Sequence, residues 1–163
     1  MALTLVLIRH GDAKSKKLGE TDFDRELTEE GAKALRFAFP KNLALVEVTH
    51  ATELWMSKAI RARQTAKIAN ETLHIQTFRE LGSMYEQDQE AFLRHLSECE
   101  ADTVVAVGHI PFVEDLVARL TGIYLDFSTG AAAAVEISDH DLAHIAKGRA
   151  HGRLLWFVQG PRV

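Results

Sequence analysis

The sequence has little of what stabilises secreted and membrane-spanning proteins. Its 163 residues include one cysteine, Cys99, which excludes both an intrachain disulfide and a cluster of thiolate metal ligands. A lone cysteine is typical of proteins from a reducing compartment. The apolar stretch at residues 3–8 has no basic segment before it and is far shorter than a membrane span or a signal-peptide core. These shortages predict a cytoplasmic protein without a membrane partner.

An excess of positive charge is also missing. The chain has 19 basic and 23 acidic residues, and its net charge of −4 offers no general attraction for nucleic acid or an anionic membrane surface. The aromatic pairs Phe37 with Phe39 and Trp55 with Trp156 are therefore interpreted as packing residues, not as a base-stacking platform. Any anion that this chain binds has to be held by a local cluster of cations.

Short apolar segments alternate with amphipathic segments along the chain. Strands are predicted at residues 3–8, 46–57, 75–78, 103–107, 131–137 and 154–158. Helices are predicted at residues 28–39, 59–73, 89–98 and 111–120. Thr28 is the expected N-cap of the first helix, which Pro40 ends. The alternation predicts an α/β fold: a single three-layer domain over residues 1–163, with a mainly parallel central sheet flanked by helices.

The two most apolar predicted strands each end in a histidine. His10 lies within the tripeptide Arg9-His10-Gly11, and His109 follows the strand at residues 103–107. Since ligands of open α/β sheets bind beyond the carboxyl ends of the strands, both imidazoles are expected at one edge of the sheet. Arg61 starts the helix after the second strand and, like Arg9, is expected to reach the same pocket.

Two imidazoles and two guanidinium groups suit a phosphoryl group. Phosphoryl oxygens accept bidentate, charge-assisted hydrogen bonds from arginine. A neutral imidazole is also a nucleophile that can take a phosphoryl group without a metal. Taken alone, however, the Arg-His-Gly tripeptide fits a hydrogen-bonded histidine at a strand end equally well. The residues by themselves leave both interpretations of His10 open.

Ordered motifs over most of the chain resemble those of the histidine phosphatase superfamily. In chain order they are Arg-His-Gly-Asp-Ala at residues 9–13, Asp-x-x-Arg-x-Leu-Thr-x-x-Gly at 22–31, the set Ser57, Arg61, Gln64 and Thr65, Val-Gly-His-Ile-Pro at 107–111, and Phe-Ser-Thr-Gly-Ala at 127–131. Within the superfamily the sequence is similar to the small, lid-poor branch typified by the phosphohistidine phosphatase SixA.

The resemblance implies a phosphoglycerate mutase-like fold and an enzyme that hydrolyses phosphoryl compounds without a metal or another cofactor. It implies that His10 is the nucleophile and that Arg9, Arg61 and His109 hold the phosphoryl oxygens. His109 is expected to act while protonated, because a cation stabilises the negative charge of the transition state. Arg25 is interpreted either as an extension of the anion site or as a solvated loop charge.

The acid that would protonate a leaving group has no clear counterpart in this sequence. Larger relatives carry a Glu for this role and others an Asp directly after the second histidine, where this chain has Ile110. Glu80, Glu86 and Asp12 are the candidates, and each also fits a solvated carboxylate. An imidazole, with a reference pKa of about 6.5, leaves from phosphorus more readily than an alkoxide. The missing acid therefore favours phosphohistidine as the substrate.

These observations favour removal of phosphate from phosphohistidine in a protein, such as a phosphorelay domain. The alternatives are a phosphatase for small phosphate esters or other phosphorylated side chains, and a catalytically silent phosphate-binding module. The basic run at residues 14–17 fits either a surface that steers an acidic partner or a solvated loop. His140 and His144 lie four residues apart but have no obvious third ligand, so no metal site is expected.

Overall fold

A six-stranded sheet runs through the computed structural model, which describes residues 2–147 and 151–163. Met1 and residues 148–150, which the predicted domain includes, lie outside the described residues. In chain order the strands are β1 (Leu3–Arg9), β2 (Thr52–Ser57), β3 (Thr77–Leu81), β4 (Thr103–Gly108), β5 (Ala132–Ile137) and β6 (Gly152–Val158). Their order across the sheet is β3-β2-β4-β1-β5-β6. The four strands from β3 to β1 are parallel, while β5 is antiparallel to both of its neighbours.

Helices cover both faces of this sheet. They are α1 (Glu29–Asn42), α2 (Ile60–Leu73), α3 (Gly82–Tyr85), α4 (Gln89–Glu98), α5 (Phe112–Thr121) and α6 (Asp139–His144). Val6 and Ile8 of β1 share one buried cluster with α1 and α2, whereas Leu5 and Leu7 share the other with α4 and α5. This alternation is the period of a strand buried on both faces. The predicted three-layer α/β fold with a mainly parallel sheet is confirmed.

The first helix follows its predicted start but not its predicted end. Thr28 caps it as expected, because its side chain accepts a hydrogen bond from the N–H of Gly31. Pro40 does not end the helix, which runs on to Asn42. Phe39 and Leu43 on either side of Pro40 are fully buried, and the N–H of Leu43 donates to the carbonyl of Phe39. This packing outweighs the one hydrogen bond that proline cannot make.

The second and third strands begin two or more residues later than predicted, because side chains hold the residues before them. The second strand starts at Thr52, since Thr49 and Thr52 bond to each other and to Asp102 in a turn. The third strand starts at Thr77, since the Asn70 side chain binds both the N–H and the carbonyl of Ile75. Such local hydrogen bonds compete with the ladder of a sheet. Helix α3 was not predicted.

Within the described part of the chain, no helix combines the length and the apolarity needed to cross a bilayer.

Candidate active site

His10 and His109 meet at the carboxyl edge of the sheet. Strands β1 and β4 are parallel neighbours in which Arg9 lies opposite Gly108, so each histidine is the first residue beyond its strand. The N–H of His10 donates to the carbonyl of Gly108 over 3.0 Å. The two buried rings have centroids 5.2 Å apart and an interplanar angle of 61°. The structure thus brings together the two imidazoles that the sequence placed at one edge.

The surroundings of His10 assign its tautomer. Its Nδ1 lies 2.7 Å from the carbonyl oxygen of Gly11, which can only accept, so Nδ1 carries the proton. Its Nε2 then accepts the Nε–H of Arg61 over 3.3 Å. Burial lowers the pKa of His10 to about 3; the charges of His109, Arg61 and Arg9 act in the same direction, and the Gly11 carbonyl opposes them. His10 is therefore neutral at pH 7, with an unprotonated Nε2.

Arg61 lies in the first turn of α2 and points its guanidinium group across the site. Its three kinds of N–H all donate: Nε to His10, one terminal nitrogen to the carbonyl of Asp22 over 2.7 Å, and the other to the carboxylate of Asp22 over 3.0 Å. The Arg61 side chain is 7% exposed. A buried cation with fixed donors beside an unprotonated nitrogen is suited to an arriving anion.

Two residues of the middle motif fasten the loop after β1 to helix α2. The hydroxyl of Thr65 accepts the N–H of Gly11 over 3.0 Å and donates to the carbonyl of Arg61 over 2.8 Å. The side-chain oxygen of Gln64 accepts the N–H of Leu27 over 2.7 Å. These bonds explain why the motif pairs a Gln and a Thr with the preceding Arg.

His109 is held on the opposite side of the cluster. Its Nε2 lies 2.7 Å from the Ser57 hydroxyl oxygen, and its buried Nδ1 has no hydrogen-bond partner among the described residues. Burial, followed by the charge of Arg61, lowers the pKa of His109 to about 4, and Asp22 opposes this shift. His109 is thus neutral at pH 7 in the free protein. Its predicted action as a cation depends on the negative charge of a bound phosphoryl group.

Arg9 is anchored beside the same cluster. One terminal nitrogen donates to the carbonyl of Phe127 over 2.8 Å, and the buried Nε has no partner in residues 2–147 and 151–163. Burial lowers the pKa of Arg9, and the carboxylate of Glu114 opposes the shift. The charge of Arg9 in turn lowers the pKa of both histidines. The structure therefore places Arg9, His10, Arg61 and His109 in one electrostatic cluster.

The other predicted site residues are less close to this cluster. Arg25 donates to the carbonyl of Lys14 over 2.8 Å and to the carboxylate of Asp22 over 3.0 Å, so it reaches Arg61 only through Asp22. Asp12 accepts the hydroxyl of Thr28, at the start of α1.

The two glutamates differ in their positions. The exposed Glu80 pairs with Arg63 at 3.6 Å on the flank of α2. Glu86 is exposed and follows Tyr85, whose ring lies edge-on to His109 at 5.7 Å. Glu86 thus adjoins the cluster through its chain neighbour Tyr85, as Asp12 does through Gly11, whose carbonyl lies at His10.

Asp22 and Tyr85 are members of the site that sequence reasoning did not assign. Asp22 belonged to a matched motif, which was its only signal, and Tyr85 lies in the unpredicted helix α3. The Tyr85 hydroxyl donates to the Asp22 carboxylate over 3.3 Å. Partial burial opposes ionisation of Asp22, but the bonds from Arg25 and Arg61 and the charge of Arg61 hold its pKa below the ordinary value. Asp22 is therefore a carboxylate at neutral pH.

Metal binding has little support in the described residues. Within residues 2–147 and 151–163, no three His, Cys, Asp or Glu side chains are grouped so as to hold a metal ion. His140 and His144 do lie close together, with ring centroids 4.9 Å apart.

A family model connects this geometry with known proteins. The model of the histidine phosphatase superfamily (branch 1) matches residues 5–88, just over half of the chain, including His10, Asp22 and Arg61. The chain belongs to the histidine phosphatase superfamily. No curated protein matches this histidine phosphatase in sequence.

Solved structures share its fold over nearly the whole length. A putative phosphohistidine phosphatase SixA from Nakamurella multipartitia is 26% identical, with a TM-score of 0.76 over 100% of this chain and 98% of its own. The putative SixA from Agrobacterium tumefaciens is 23% identical, with a TM-score of 0.77 over 96% and 97%. The protein histidine phosphatase SixA in complex with tungstate is 24% identical, with a TM-score of 0.77 over 96% and 97%.

Proposed function

We propose that this protein is a metal-independent phosphatase that takes a phosphoryl group onto Nε2 of His10, with phosphohistidine in a protein as its substrate. The observation that carries the proposal is the contact between Nε2 of His10 and the Nε–H of Arg61, beside His109 and Arg9. An unprotonated nitrogen surrounded by cationic donors is what nucleophilic attack on a phosphoryl dianion needs. The similar SixA structure with bound tungstate, a tetrahedral oxyanion, supports an anion site in this fold.

The first step transfers the phosphoryl group to the enzyme. The lone pair on Nε2 of His10 forms a bond to phosphorus, while the bond from phosphorus to the substrate imidazole breaks and its electron pair stays with that imidazole. The Nε–H of Arg61 stays on arginine, but its hydrogen bond changes acceptor, from Nε2 of His10 to an oxygen of the arriving phosphoryl group. Arg9 and His109, the other two basic side chains of the cluster, receive the other oxygens.

The second step releases inorganic phosphate. A water oxygen bonds to phosphorus, the bond from phosphorus to Nε2 breaks, and its electron pair returns to His10. The water proton passes to solvent or to a phosphate oxygen. The Gly11 carbonyl accepts the Nδ1–H of His10 throughout, so the ring keeps the same tautomer in both steps.

Rapid quenching with a labelled phosphohistidine peptide tests the covalent step. We expect an acid-labile, base-stable phosphoryl adduct on His10 within one turnover, which His10→Ala abolishes. His50→Ala, which changes an exposed histidine, is the matched control and should retain the adduct. Binding of phosphate without any adduct would instead support the silent phosphate-binding module.

The leaving group separates phosphohistidine from small phosphate esters. An alkoxide needs a proton at neutral pH, whereas an imidazole with a protonated second nitrogen leaves as a neutral molecule. We expect Glu86→Gln to leave turnover of the phosphohistidine peptide nearly unchanged. The control Glu80→Gln, which changes the exposed partner of Arg63, should do the same. Fast hydrolysis of an alkyl phosphate that Glu86→Gln selectively abolishes would favour the ester phosphatase and identify the acid.

A further inference from the structure

Three side chains from different parts of the site donate hydrogen bonds to Asp22. One of its oxygens accepts from Arg25 at 3.0 Å, and the other accepts from Arg61 at 3.0 Å and from the Tyr85 hydroxyl at 3.3 Å. Its backbone carbonyl accepts from Arg61 at 2.7 Å. These donors come from the loop after β1, helix α2 and helix α3. No other described carboxylate shows such a convergence.

The first consequence concerns the direction of the Arg61 guanidinium group. A guanidinium group is planar, so fixing both terminal nitrogens also fixes where Nε–H points. Asp22 holds those two nitrogens with two different oxygens, and Nε–H consequently points at Nε2 of His10. The hydrogen bond from Arg61 to His10, on which the proposed chemistry depends, is therefore oriented by Asp22, which binds the other two nitrogens of Arg61.

The second consequence concerns Tyr85. Its hydroxyl is fixed by Asp22, and its ring lies edge-on both to His109, with centroids 5.7 Å apart, and to Phe23, with centroids 5.6 Å apart. Phe23 is the neighbour of Asp22 in the 3₁₀ turn Asp22–Asp24. The turn Asp22–Asp24 thus holds both Arg61, which contacts His10, and Tyr85, which contacts His109.

We propose that Asp22 is the positioning residue of this site: it locks the guanidinium group of Arg61 toward His10 and holds the Tyr85 ring against His109. Among the described residues its hydrogen bonds go to Arg25, Arg61 and Tyr85 and not to His10, so it acts on His10 and His109 through Arg61 and Tyr85. The expected effect of Asp22 on turnover rests on the proposed function. The expected effect of Asp22 on the orientation of Arg61 does not depend on any activity.

Asp22→Asn is the main test, because it removes the charge and keeps one acceptor oxygen. By NMR at neutral pH, we expect the Nε–H of Arg61 to exchange with solvent at least tenfold faster than in the wild type, and its chemical shift to move. With the phosphohistidine peptide, we expect kcat to fall at least tenfold. Asp22→Ala should be more severe in both respects, since it removes both carboxylate oxygens and leaves only the backbone carbonyl of Asp22 to hold Arg61.

Asp24→Asn is the matched control. Asp24 lies in the same turn and loses the same charge, but its carboxylate bonds to Thr21 and not to Arg61. We expect it to leave the exchange of the Arg61 Nε–H and kcat within about twofold of the wild type. Tyr85→Phe separates the effect of Asp22 on Tyr85 from its effect on Arg61. It should lower kcat less than Asp22→Asn does and leave the chemical shift of the Arg61 Nε–H unchanged.

The positioning role of Asp22 and the proposed phosphatase activity can fail separately. Unchanged exchange of the Arg61 Nε–H in Asp22→Ala, with thermal unfolding like that of the wild type, overturns the positioning role. An equal response of Asp24→Asn and Asp22→Asn also overturns it, because general disturbance of the turn then explains both. A wild type without phosphatase activity refutes the proposed function but leaves the NMR comparison decisive for Asp22.

Discussion

The Nε–H of Arg61 donates to Nε2 of His10 over 3.3 Å, so a permanent cation lies against the neutral ring. The contact has two effects. It places positive charge beside Nε2, and, adding to the larger effect of burial, it lowers the pKa of His10 and so keeps a proton off Nε2. Both effects depend on a guanidinium group whose N–H groups point in three directions at once.

Replacing Arg61 with lysine tests this requirement. Arg61→Lys keeps the charge but provides one compact ammonium group, which cannot serve Asp22 and His10 together. We expect kcat/KM to fall by about 100-fold or more, the range found when one donor to a transition-state charge is lost.

The control for this substitution lies on the same helix. Arg63 pairs with the exposed Glu80, and Arg63→Lys should change kcat/KM by less than about twofold, as surface ion pairs contribute little. Steady-state kinetics on the phosphohistidine peptide measures both variants. Equal activity of Arg61→Lys and the wild type would show that charge alone suffices.

The two buried histidines should make the protein less stable in acid. Their pKa values of about 3 and 4 lie below the ordinary value of about 6.5, so the unfolded chain takes up protons first as the pH falls. The free energy of unfolding is then highest above about pH 6.5 and declines as the pH falls toward 4. Between pH 6.5 and 5 each histidine should account for a loss on the order of 2 kcal/mol.

Urea denaturation at a series of pH values measures this decline. His10→Gln and His109→Gln cannot take up the proton, so each should show a shallower decline than the wild type. His50→Gln alters an exposed histidine and should keep the wild-type slope. Parallel slopes for all four proteins would contradict the buried, neutral histidines.

The positions of the two histidines could be predicted from sequence for a physical reason. Apolar runs such as residues 3–8 and 103–107 form buried strands, and parallel strands bring their carboxyl ends to one edge. Arg61 followed from its place at the start of the next helix. The register of β1 against β4 then brings His10 and His109 together.

The roles of Asp22 and Tyr85 could not be predicted in the same way. Both lie in short irregular segments, where contacts are decided by how elements pack and not by periodicity. The late start of β3 has a similar cause, since the Asn70 side chain captures Ile75 from within helix α2. The patterns thus indicated which side chains come together at the edge of the sheet, whereas tertiary contacts decide how those side chains are held.

The basic loop beside the site offers a test of protein substrates. Lys16 and Lys17 are exposed, Leu18 is fully exposed, and the base of the loop is tied to Arg25 through the carbonyl of Lys14. We expect Lys16→Glu with Lys17→Glu to lower kcat/KM several-fold for an acidic phosphohistidine peptide. A neutral peptide of equal length should be unaffected, because the loss is electrostatic.

A matched double substitution controls for net charge. Lys33→Glu with Lys41→Glu makes the same change on helix α1 and should leave both peptides unaffected. The loss in the loop variant should also shrink as salt is added, since exposed charges are screened. Equal losses for the two peptides would contradict steering by the loop.

Thr65 should matter to both stability and activity, because its buried hydroxyl joins the loop after β1 to helix α2. Thr65→Val keeps the shape of the side chain but leaves the buried N–H of Gly11 without its acceptor. We expect the free energy of unfolding, measured by urea denaturation, to fall by about 1–3 kcal/mol. We also expect kcat to fall, because Gly11 and Arg61 both contact His10. Thr121→Val removes a hydroxyl with a similar pair of bonds, to the carbonyl of Val117 and from the exposed N–H of Ile123 at the end of α5. Water can replace the lost acceptor there, so this control should cost less and leave kcat unchanged. Equal losses of stability and activity in the two variants would show that the bond from Gly11 to Thr65 does not hold the site together.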